Sequence, residues 1–365
     1  MIRWLAGLWL LLPLSALGAE CGWPLWQQYK AAMMSEDGRI IDGASPRAIT
    51  TSEGQSYALF FALVANDKPA FAQLLRWTEN NLAGGDLVAR LPAWLWGESD
   101  EGDWRVLDPN NAADSDLWIA YSLLEAGRLW HQPEYTRRGR ALLWRSAAES
   151  LHWLPGLGLT LLPGKQGFEK AEGWKLNPSY LPLPLLARFA EEARVWKDVY
   201  ESSLHLLKVS APQGLAPDWL WWQRSGAPEL TALETGSYDA IRVYLWAGLA
   251  APGSPGRSEL LVHFRPMLAH VRQTGAPPER TNTVTGAFNG TGPVGFSAAL
   301  LPMLAALPDQ ASELKRQLQR LHEQPPTADA YYDRSLLLFG MGNYEQRYRF
   351  DQQGRLMLAK EGTCN

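Results

Sequence analysis

Three acidic residues stand close to the start of predicted apolar helices and could carry out acid–base chemistry. Glu53 lies in TTSEGQSY, Asp114 in NNAADSD and Asp239 in GSYDAIR. A pair of carboxyl groups can cleave a glycosidic bond, because one protonates the leaving oxygen while the other attacks the sugar or activates water. The sequence therefore offers three candidates for such a pair.

Each of these acids could instead stabilise the start of its own helix. Two have capping-box spacing to an earlier polar residue, Thr50 for the first and Asn111 for the second, and Ser237 could cap the third helix. The helix dipole also favours a carboxylate in a first turn. Capping does not explain why glycine, serine and aromatic residues surround all three acids.

Aromatic side chains supply the second part of a carbohydrate site. Tryptophan makes up 18 of the 365 residues, and its flat apolar face suits the C–H face of a pyranose ring. Each single tryptophan could equally pack in the core. The candidates for the cleft are Trp94, Trp96, Trp104, Trp118, Trp174, Trp219, Trp221 and Trp222. Glycine-rich segments surround four of them, which are our preferred sugar platforms: Trp94, Trp96, Trp104 and Trp174.

Composition argues against several other functions. The formal net charge of −4 is unlike the basic face of a nucleic-acid-binding protein. The six histidines show no paired spacing typical of a metal site, and no complete nucleotide-binding fingerprint occurs. We therefore expect no metal and no cofactor.

The elements that must position the acids are two kinds of helix in alternation. Some segments are apolar on nearly every side and must be enclosed, whereas others carry one apolar stripe and belong to an outer layer. The enclosed segments are residues 57–64, 117–124, 181–187 and 243–249, and the striped ones include Phe71, Leu74, Leu75 and Trp77, and Leu260, Leu261, Phe264, Leu268 and Val271.

Because no long polar linker interrupts this alternation, we predict one toroid of about six helical hairpins. Its inner helices would run parallel, so that the three acids meet at one end. Residues 348–350 and 356–358 flank Asp-Gln-Gln-Gly and predict a small C-terminal β-hairpin.

The N-terminus reads as an export signal over residues 1–19, with Arg3, an apolar stretch and small residues before a cleavage site. Residues 20–365 would then form a single domain that has no membrane segment after cleavage. Cys21 and Cys364 are the two cysteines, and in an oxidising compartment they could form a disulfide.

Seven ordered segments resemble glycoside hydrolase family 8, closest to its periplasmic endo-1,4-β-glucanases that accompany bacterial cellulose synthase. The resemblance implies an all-α (α/α)6 barrel, an inverting cleavage of β-1,4-glucan, a periplasmic location and a possible cellulose synthase complex as partner. The segments are TSEGQSY (51–57), RLPAWLW (90–96), ADSDLWIA (113–120), NPSY (177–180), YDAIR (238–242), GTGPVGF (290–296) and YYD (331–333).

The resemblance also implies roles for single residues. Glu53 matches the general acid, Asp239 the general base, and Asp114 the aspartate that orients the sugar at the point of cleavage. Asp116 keeps the spacing of the second aspartate of that motif and is expected to bind substrate. Arg242 is expected to bind a carboxylate or to form a structural ion pair.

Two tyrosines complete the implied site, and two alternatives to a β-1,4-glucanase stay open. Tyr180 is a candidate for positioning the water or the base, and Tyr332 for the wall of the cleft. A family member could act on another β-1,4 polymer, chitosan or xylan; the acidic loop at residues 98–103 would suit the ammonium groups of chitosan. The protein could also bind glucan without cleaving it.

Overall fold

The computed structural model describes residues 22–359, and within them the helices form two concentric layers. Helices are numbered in chain order. Six inner helices each contact the next, and contact between the last and the first closes the ring. They are α2 (Ser52–Val64), α4 (Ala113–Leu129), α6 (Leu183–Ala190), α8 (Ile241–Leu249), α11 (Val294–Ala305) and α13 (Tyr331–Tyr344).

An outer layer packs one helical segment against each inner helix. The fold is the predicted (α/α)6 barrel, and the predicted enclosed segments belong to the inner ring. The outer helices are α1 (Pro24–Met33), α3 (Lys68–Leu82), α5 (Pro133–Ser150), α7 (Val195–Val209), α9 (Arg257–His263) with α10 (Arg265–Thr274), and α12 (Ala311–Glu323).

The apolar stripe of residues 260–271 does not lie on one continuous helix. Phe264 ends α9 in a non-helical conformation, and Pro266 lies in the first turn of α10. Proline is tolerated there because the first turn needs no N–H from it, whereas a continuous helix would need that donor.

Aromatic side chains fill the axis of the ring. The Trp118 ring centroid lies 5.2 Å from that of Phe339, 5.4 Å from that of Trp246 and 5.0 Å from that of Phe60. All four are buried. Burying so much aromatic surface explains part of the high tryptophan content without any role in binding.

The two ends of the barrel differ in the length of their connections. Every connection from an inner to an outer helix is short, whereas five of those that lead into an inner helix carry strands or long loops. The strands are β1 (Thr50–Thr51), β2 (Leu95–Glu98), β3 (Trp104–Asp108), β4 (Leu151–Leu154), β5 (Gly158–Leu161), β6 (Gly173–Leu176), β7 (Leu220–Gln223), β8 (Pro228–Glu229), β9 (Thr235–Gly236), β10 (Arg280–Asn282) and β11 (Phe288–Asn289). The irregular chain is thus concentrated where the inner helices begin.

The opposite end is closed by the predicted C-terminal hairpin. Strands β12 (Tyr348–Phe350) and β13 (Leu356–Leu358) pair antiparallel. The Tyr121 hydroxyl of α4 donates to the Gly354 carbonyl (2.8 Å), and the buried Glu125 carboxylate accepts the N–H of Leu356 (2.8 Å). These bonds fix the hairpin beneath the ring.

Some sequence predictions fall outside the described residues, namely the signal segment 1–19 and the pairing of Cys21 with Cys364. Among residues 22–359, no helix is both long and apolar enough to span a membrane.

Candidate active site

The three acids predicted from the sequence all lie at the end of the barrel where the inner helices begin. Glu53 lies in the first turn of α2 and Asp114 in the first turn of α4, as predicted. Asp239 does not lie in the first turn of its helix, because α8 begins two residues later, at Ile241. It lies in the preceding turn.

Arg242, in the first turn of α8, joins two of the acids. Its Nη1 donates to Oε2 of Glu53, and its Nη2 donates to Oδ1 of Asp239 at 2.5 Å. The arginine side chain is 3% exposed, whereas Glu53 and Asp239 are 22% and 29% exposed. The guanidinium therefore lies beneath two carboxylates that reach solvent. Sequence reasoning expected it to bind one carboxylate and missed the second.

Two further contacts hold the guanidinium in place. Nη2 also donates to the Ser179 hydroxyl (3.0 Å), and Nη1 to the Tyr57 hydroxyl (3.3 Å). Because each terminal nitrogen binds one hydroxyl and one carboxylate, the guanidinium is held in an orientation that reaches both acids.

Glu53 is not a capping residue. The side chain of Thr51, not Thr50, caps α2 by accepting the N–H of Gly54 (3.1 Å). The second oxygen of Glu53 accepts a bond from the Tyr331 hydroxyl (2.9 Å). Glu53 is also the one residue of α2 that is not buried. Its carboxyl group is thus free of the helix backbone and faces the cleft.

Asp114 is buried, and burial raises the pKa of its carboxyl group to about 7, while the nearby charge of Arg242 opposes that rise. Its Oδ1 accepts the N–H of Ser115 at 2.8 Å. Asn111 does not cap this helix; its Nδ2 donates to Asp116 and its Oδ1 accepts the N–H of Lys165. Asp114 therefore satisfies one free N–H of the first turn and keeps an ionisable group beside the cleft.

Asp116 lies deeper than the other acids. Its side chain is fully buried, Oδ2 accepts the Asn111 amide at 2.6 Å, and Oδ1 has no hydrogen-bond partner among the described residues. Burial holds the pKa of this carboxyl well above its usual range. The structure does not bring Asp116 to Arg242, so any contact with substrate would require an approach beside Asn111.

Both predicted tyrosines flank the arginine. The ring centroids of Tyr180 and Tyr332 each lie 5.9 Å from the Arg242 guanidinium carbon. The Tyr180 ring also packs against that of Trp219 (6.0 Å between centroids). Trp219 in turn stacks on Phe168, with an angle of 3° between the ring planes. These aromatic rings form one wall that extends away from the carboxylates.

Of the four preferred tryptophans, Trp94 lies in a loop and the other three lie on strands. Trp94 accepts the N–H of Ser52 with its carbonyl and donates its own N–H to the Asn110 carbonyl, which ties together the starts of α2 and α4. Trp96 and Trp104 stack at 5.3 Å between centroids, and Trp104 is 48% exposed. This pair leaves an open indole at the surface.

Trp174 has a different environment. It is 4% exposed, and the Arg224 guanidinium covers its ring at 3.9 Å from the centroid. Its strand partner Trp222 and the axial Trp118 are also buried. The structure places these three tryptophans in the core and not on an open face.

Sequence reasoning missed several residues of the site. Tyr331 carries a recognisable signal, because it begins the Tyr-Tyr-Asp motif whose second tyrosine was chosen instead. Ser179 likewise precedes the chosen Tyr180. Asp218 carries no local signal, yet its carboxylate binds the turn that holds Asp239.

No cluster of three or more His, Cys, Asp or Glu side chains within residues 22–359 is arranged to hold a metal ion. The groups that surround the cleft are carboxyl groups, an arginine and tyrosine hydroxyls. Two carboxylates on either side of a fixed cation, beside an aromatic wall, can act as an acid and a base on a bound sugar chain.

Comparison with known proteins gives a consistent picture. The family model "Glycosyl hydrolases family 8" matches residues 3–346. The chain is similar to an endoglucanase of Salmonella typhi, 50% identical over 94% of this chain and 93% of the relative. It is also similar to an endoglucanase of Escherichia coli K12, 47% identical over 95% and 94%. Among solved structures, an endo-1,4-D-glucanase of Vibrio fischeri ES114 superposes with a TM-score of 0.86 at 45% identity, covering 92% of this chain and 99% of that one.

Proposed function

The chain belongs to glycoside hydrolase family 8, and from that premise we propose that this glycoside hydrolase cleaves β-1,4-glucan within the chain, with inversion at the anomeric carbon. The observation that carries the proposal is the pair Glu53 and Asp239, held by one buried guanidinium at the open end of the barrel. The similar proteins are named endoglucanase and endo-1,4-D-glucanase, which supports the choice of substrate.

Glu53 is the proposed general acid. Its proton passes to the glycosidic oxygen as the bond to the anomeric carbon breaks, so that the sugar leaves as an alcohol. Glu53 must therefore carry a proton when substrate arrives and must give up its contact with Arg242. The Tyr331 hydroxyl keeps its hold on the other oxygen and preserves the position of the carboxyl group.

Asp239 is the proposed general base. It takes a proton from a water molecule whose oxygen attacks the anomeric carbon from the side opposite to the leaving group. Arg242 stays bound to Asp239 and holds this carboxyl group in position for the water. Inversion needs roughly 6.5–9.5 Å between the two carboxyl groups, which leaves room for this water.

Asp114 is the proposed third participant, which orients the sugar at the point of cleavage. It lies beside the cleft on α4, and burial raises its pKa to about 7. Near neutral pH it can then donate a hydrogen bond to a sugar hydroxyl in one form and accept one in the other. Trp219 and Phe168, which stack on each other, continue the aromatic wall beyond Tyr180, and the Lys175 ammonium lies over the Trp219 ring at 4.5 Å from its centroid.

Chitosan is a less suitable substrate than glucan, because part of the acidic loop is already paired. Asp100 binds Arg47, and Glu101 binds Arg105 at 2.7 Å. An ammonium group of chitosan would have to displace these arginines from the two carboxylates.

We place this activity in the periplasm, beside the machinery that makes and exports bacterial cellulose. The export pattern over residues 1–19 supports the location, and the resemblance to glucanases that accompany cellulose synthase supports the process. Trimming of emerging glucan strands is the corresponding role.

The pair is tested by Glu53→Gln and Asp239→Asn in the full protein. We expect each to lower kcat on cellohexaose by at least about 10²-fold, since a positioned acid or base contributes that much. The melting temperature should change little, because Thr51 caps α2 and neither acid caps its helix.

The matched control is Glu134→Gln, which removes a carboxylate from the first turn of α5, on the outside of the barrel. It should leave kcat unchanged. A Glu53→Gln protein that keeps more than a tenth of the activity would contradict the assignment. A wild-type protein that binds cellohexaose without cleaving it would favour the glucan-binding alternative.

A further inference from the structure

The turn that carries Asp239 is held by a carboxylate from a distant part of the chain. Oδ1 of Asp218 accepts three backbone N–H groups, those of Ser237 (2.7 Å), Asp239 (3.0 Å) and Ala240 (2.8 Å). One oxygen thus binds three N–H groups of the turn that precedes α8, including that of Asp239 itself.

No side chain within the turn accepts these three N–H groups. Ser237, the cap expected from the sequence, donates its hydroxyl to the Glu279 carbonyl instead (2.6 Å), and α8 has no side-chain cap of its own. The N–H groups of the turn that leads into a helix, like those of its first turn, need acceptors from outside the helix. Here Asp218 supplies the partner.

The position of Asp218 is fixed by the chain around it. Its N–H donates to the Thr235 carbonyl (2.8 Å), and strand β9, which ends at Gly236, pairs with β10. A Cβ on Gly236 would overlap the Ala216 carbonyl oxygen, so the two segments approach as closely as backbone allows. The carboxylate therefore reaches the turn from a rigid support.

We propose that Asp218 is a positioning residue for the reaction, which sets the place of the Asp239 carboxylate relative to Arg242 and the attacking water. The inference rests on the proposed function. Asp218 binds the backbone N–H of Asp239, and Arg242 binds the Asp239 side chain at 2.5 Å. When the three N–H bonds are lost, the turn relaxes and the base moves out of line.

The first test compares Asp218→Ala with Asp218→Asn in the full protein, with kcat and KM measured on cellohexaose. A displacement of about 1 Å can cost about 10²-fold in rate. We therefore expect kcat of Asp218→Ala to fall about 10²-fold with KM within about threefold, since the Asp218 N–H still binds the Thr235 carbonyl and holds the backbone next to Trp219. A rise in KM with unchanged kcat would indicate a displaced Trp219 and would overturn the inference. Asp218→Asn keeps an oxygen acceptor and should restore kcat to within about tenfold of wild type.

The matched control is Asp67→Ala. Asp67 also accepts a backbone N–H at a helix start, that of Ala70, and it binds Lys30, but it lies on the outer layer. Its loss should lower the melting temperature and leave kcat unchanged. A fall in kcat there would show that general destabilisation explains the effect, and the inference would fail.

A double-mutant cycle separates positioning from a merely structural role. If Asp218 acts through Asp239, then Asp218→Ala should lower the residual rate of Asp239→Asn by less than about threefold, because coupled residues are not additive. A full 10²-fold further loss would overturn the inference. So would an Asp218→Ala protein with wild-type kcat, or equal losses in the Asn and Ala variants.

A variant that does not fold, or a wild type that does not cleave β-1,4-glucan, also leads to a decision. If Asp218→Ala shows no cooperative melting, Asp218→Ser replaces it. A kcat of Asp218→Ser below that of Asp218→Asn supports the inference. Equal kcat values for these two variants refute it. If the wild type does not cleave β-1,4-glucan, the proposed function fails, and the effect of Asp218 is then read on whichever polymer it does cleave.

Discussion

Replacement of Asp114 by asparagine should make the protein more stable in a way that depends on pH. The buried carboxyl group has a pKa of about 7 in the folded protein against an ordinary value of 3.8. The folded state therefore holds this proton more tightly than the unfolded state does. Between pH 4 and pH 7 the unfolded chain releases it first, so stability falls as pH rises through that window.

The size of the effect follows from the difference between the two pKa values. Each unit corresponds to about 1.4 kcal/mol, so a shift from 3.8 to about 7 gives at most about 4 kcal/mol. Asparagine has nearly the same shape and cannot ionise. The difference in unfolding free energy between Asp114→Asn and wild type should therefore be small near pH 4, grow through pH 5 and 6, and level off above about pH 7.

The assay is urea unfolding of both proteins at half-unit steps from pH 4 to pH 8. Asp100→Asn is the control, because Asp100 is 79% exposed and its difference from wild type should stay flat. A difference for Asp114→Asn that is flat across the range would show that the carboxyl group is ionised in the folded protein at all these pH values. A difference in unfolding free energy that shrinks as pH rises would show that folding lowers the pKa of Asp114, which is the opposite of the predicted direction.

Two further predictions concern the guanidinium and the C-terminal hairpin. Arg242→Lys keeps the charge but cannot bind both carboxylates at once, so we expect kcat on cellohexaose to fall by about 10- to 10²-fold; steady-state kinetics with a kcat within twofold of wild type would contradict this. Gly354 has φ of +72° in the hairpin turn, and a Cβ there would overlap the Pro184 carbonyl oxygen. Gly354→Ala should therefore lower the unfolding free energy by about 2 kcal/mol or more while kcat of the folded protein is kept, and an unchanged melting temperature would contradict it.

The sequence predicted the barrel because its signal is local. Helices that are apolar on all sides must lie inside, and the residues from Tyr57 to Val64 in α2 are all buried. It also predicted that the acids at the starts of these helices would meet, since parallel inner helices present their first turns at one end.

The rest of the site depends on contacts between distant residues. Arg242 meets Glu53 across the ring, 189 positions away, and Asp218 caps a turn about 20 positions later. Residue spacing along the sequence does not predict contacts between positions that are so far apart. The capping expected from Thr50 and Ser237 was wrong for the same reason, because each hydroxyl has a partner in another segment.

The burial of individual tryptophans also depends on contacts between distant residues. Trp104 and Trp174 have similar glycine-rich neighbours in the sequence, yet one is 48% exposed and the other 4%. Arg224, in the turn that follows β7, covers the Trp174 ring at 3.9 Å from its centroid, whereas the Arg39 guanidinium lies 4.8 Å from the Trp104 centroid and leaves that indole half exposed. Local composition cannot report which indole is covered.

The anomer that is released first shows whether Glu53 and Asp239 act as acid and base around a single attacking water. Proton NMR follows the anomeric signals of new reducing ends as the wild-type protein cleaves cellohexaose, before mutarotation mixes them. Inversion predicts that the α-anomer appears first. Appearance of the β-anomer first would contradict inversion and would require one of the two carboxylates to attack the sugar itself.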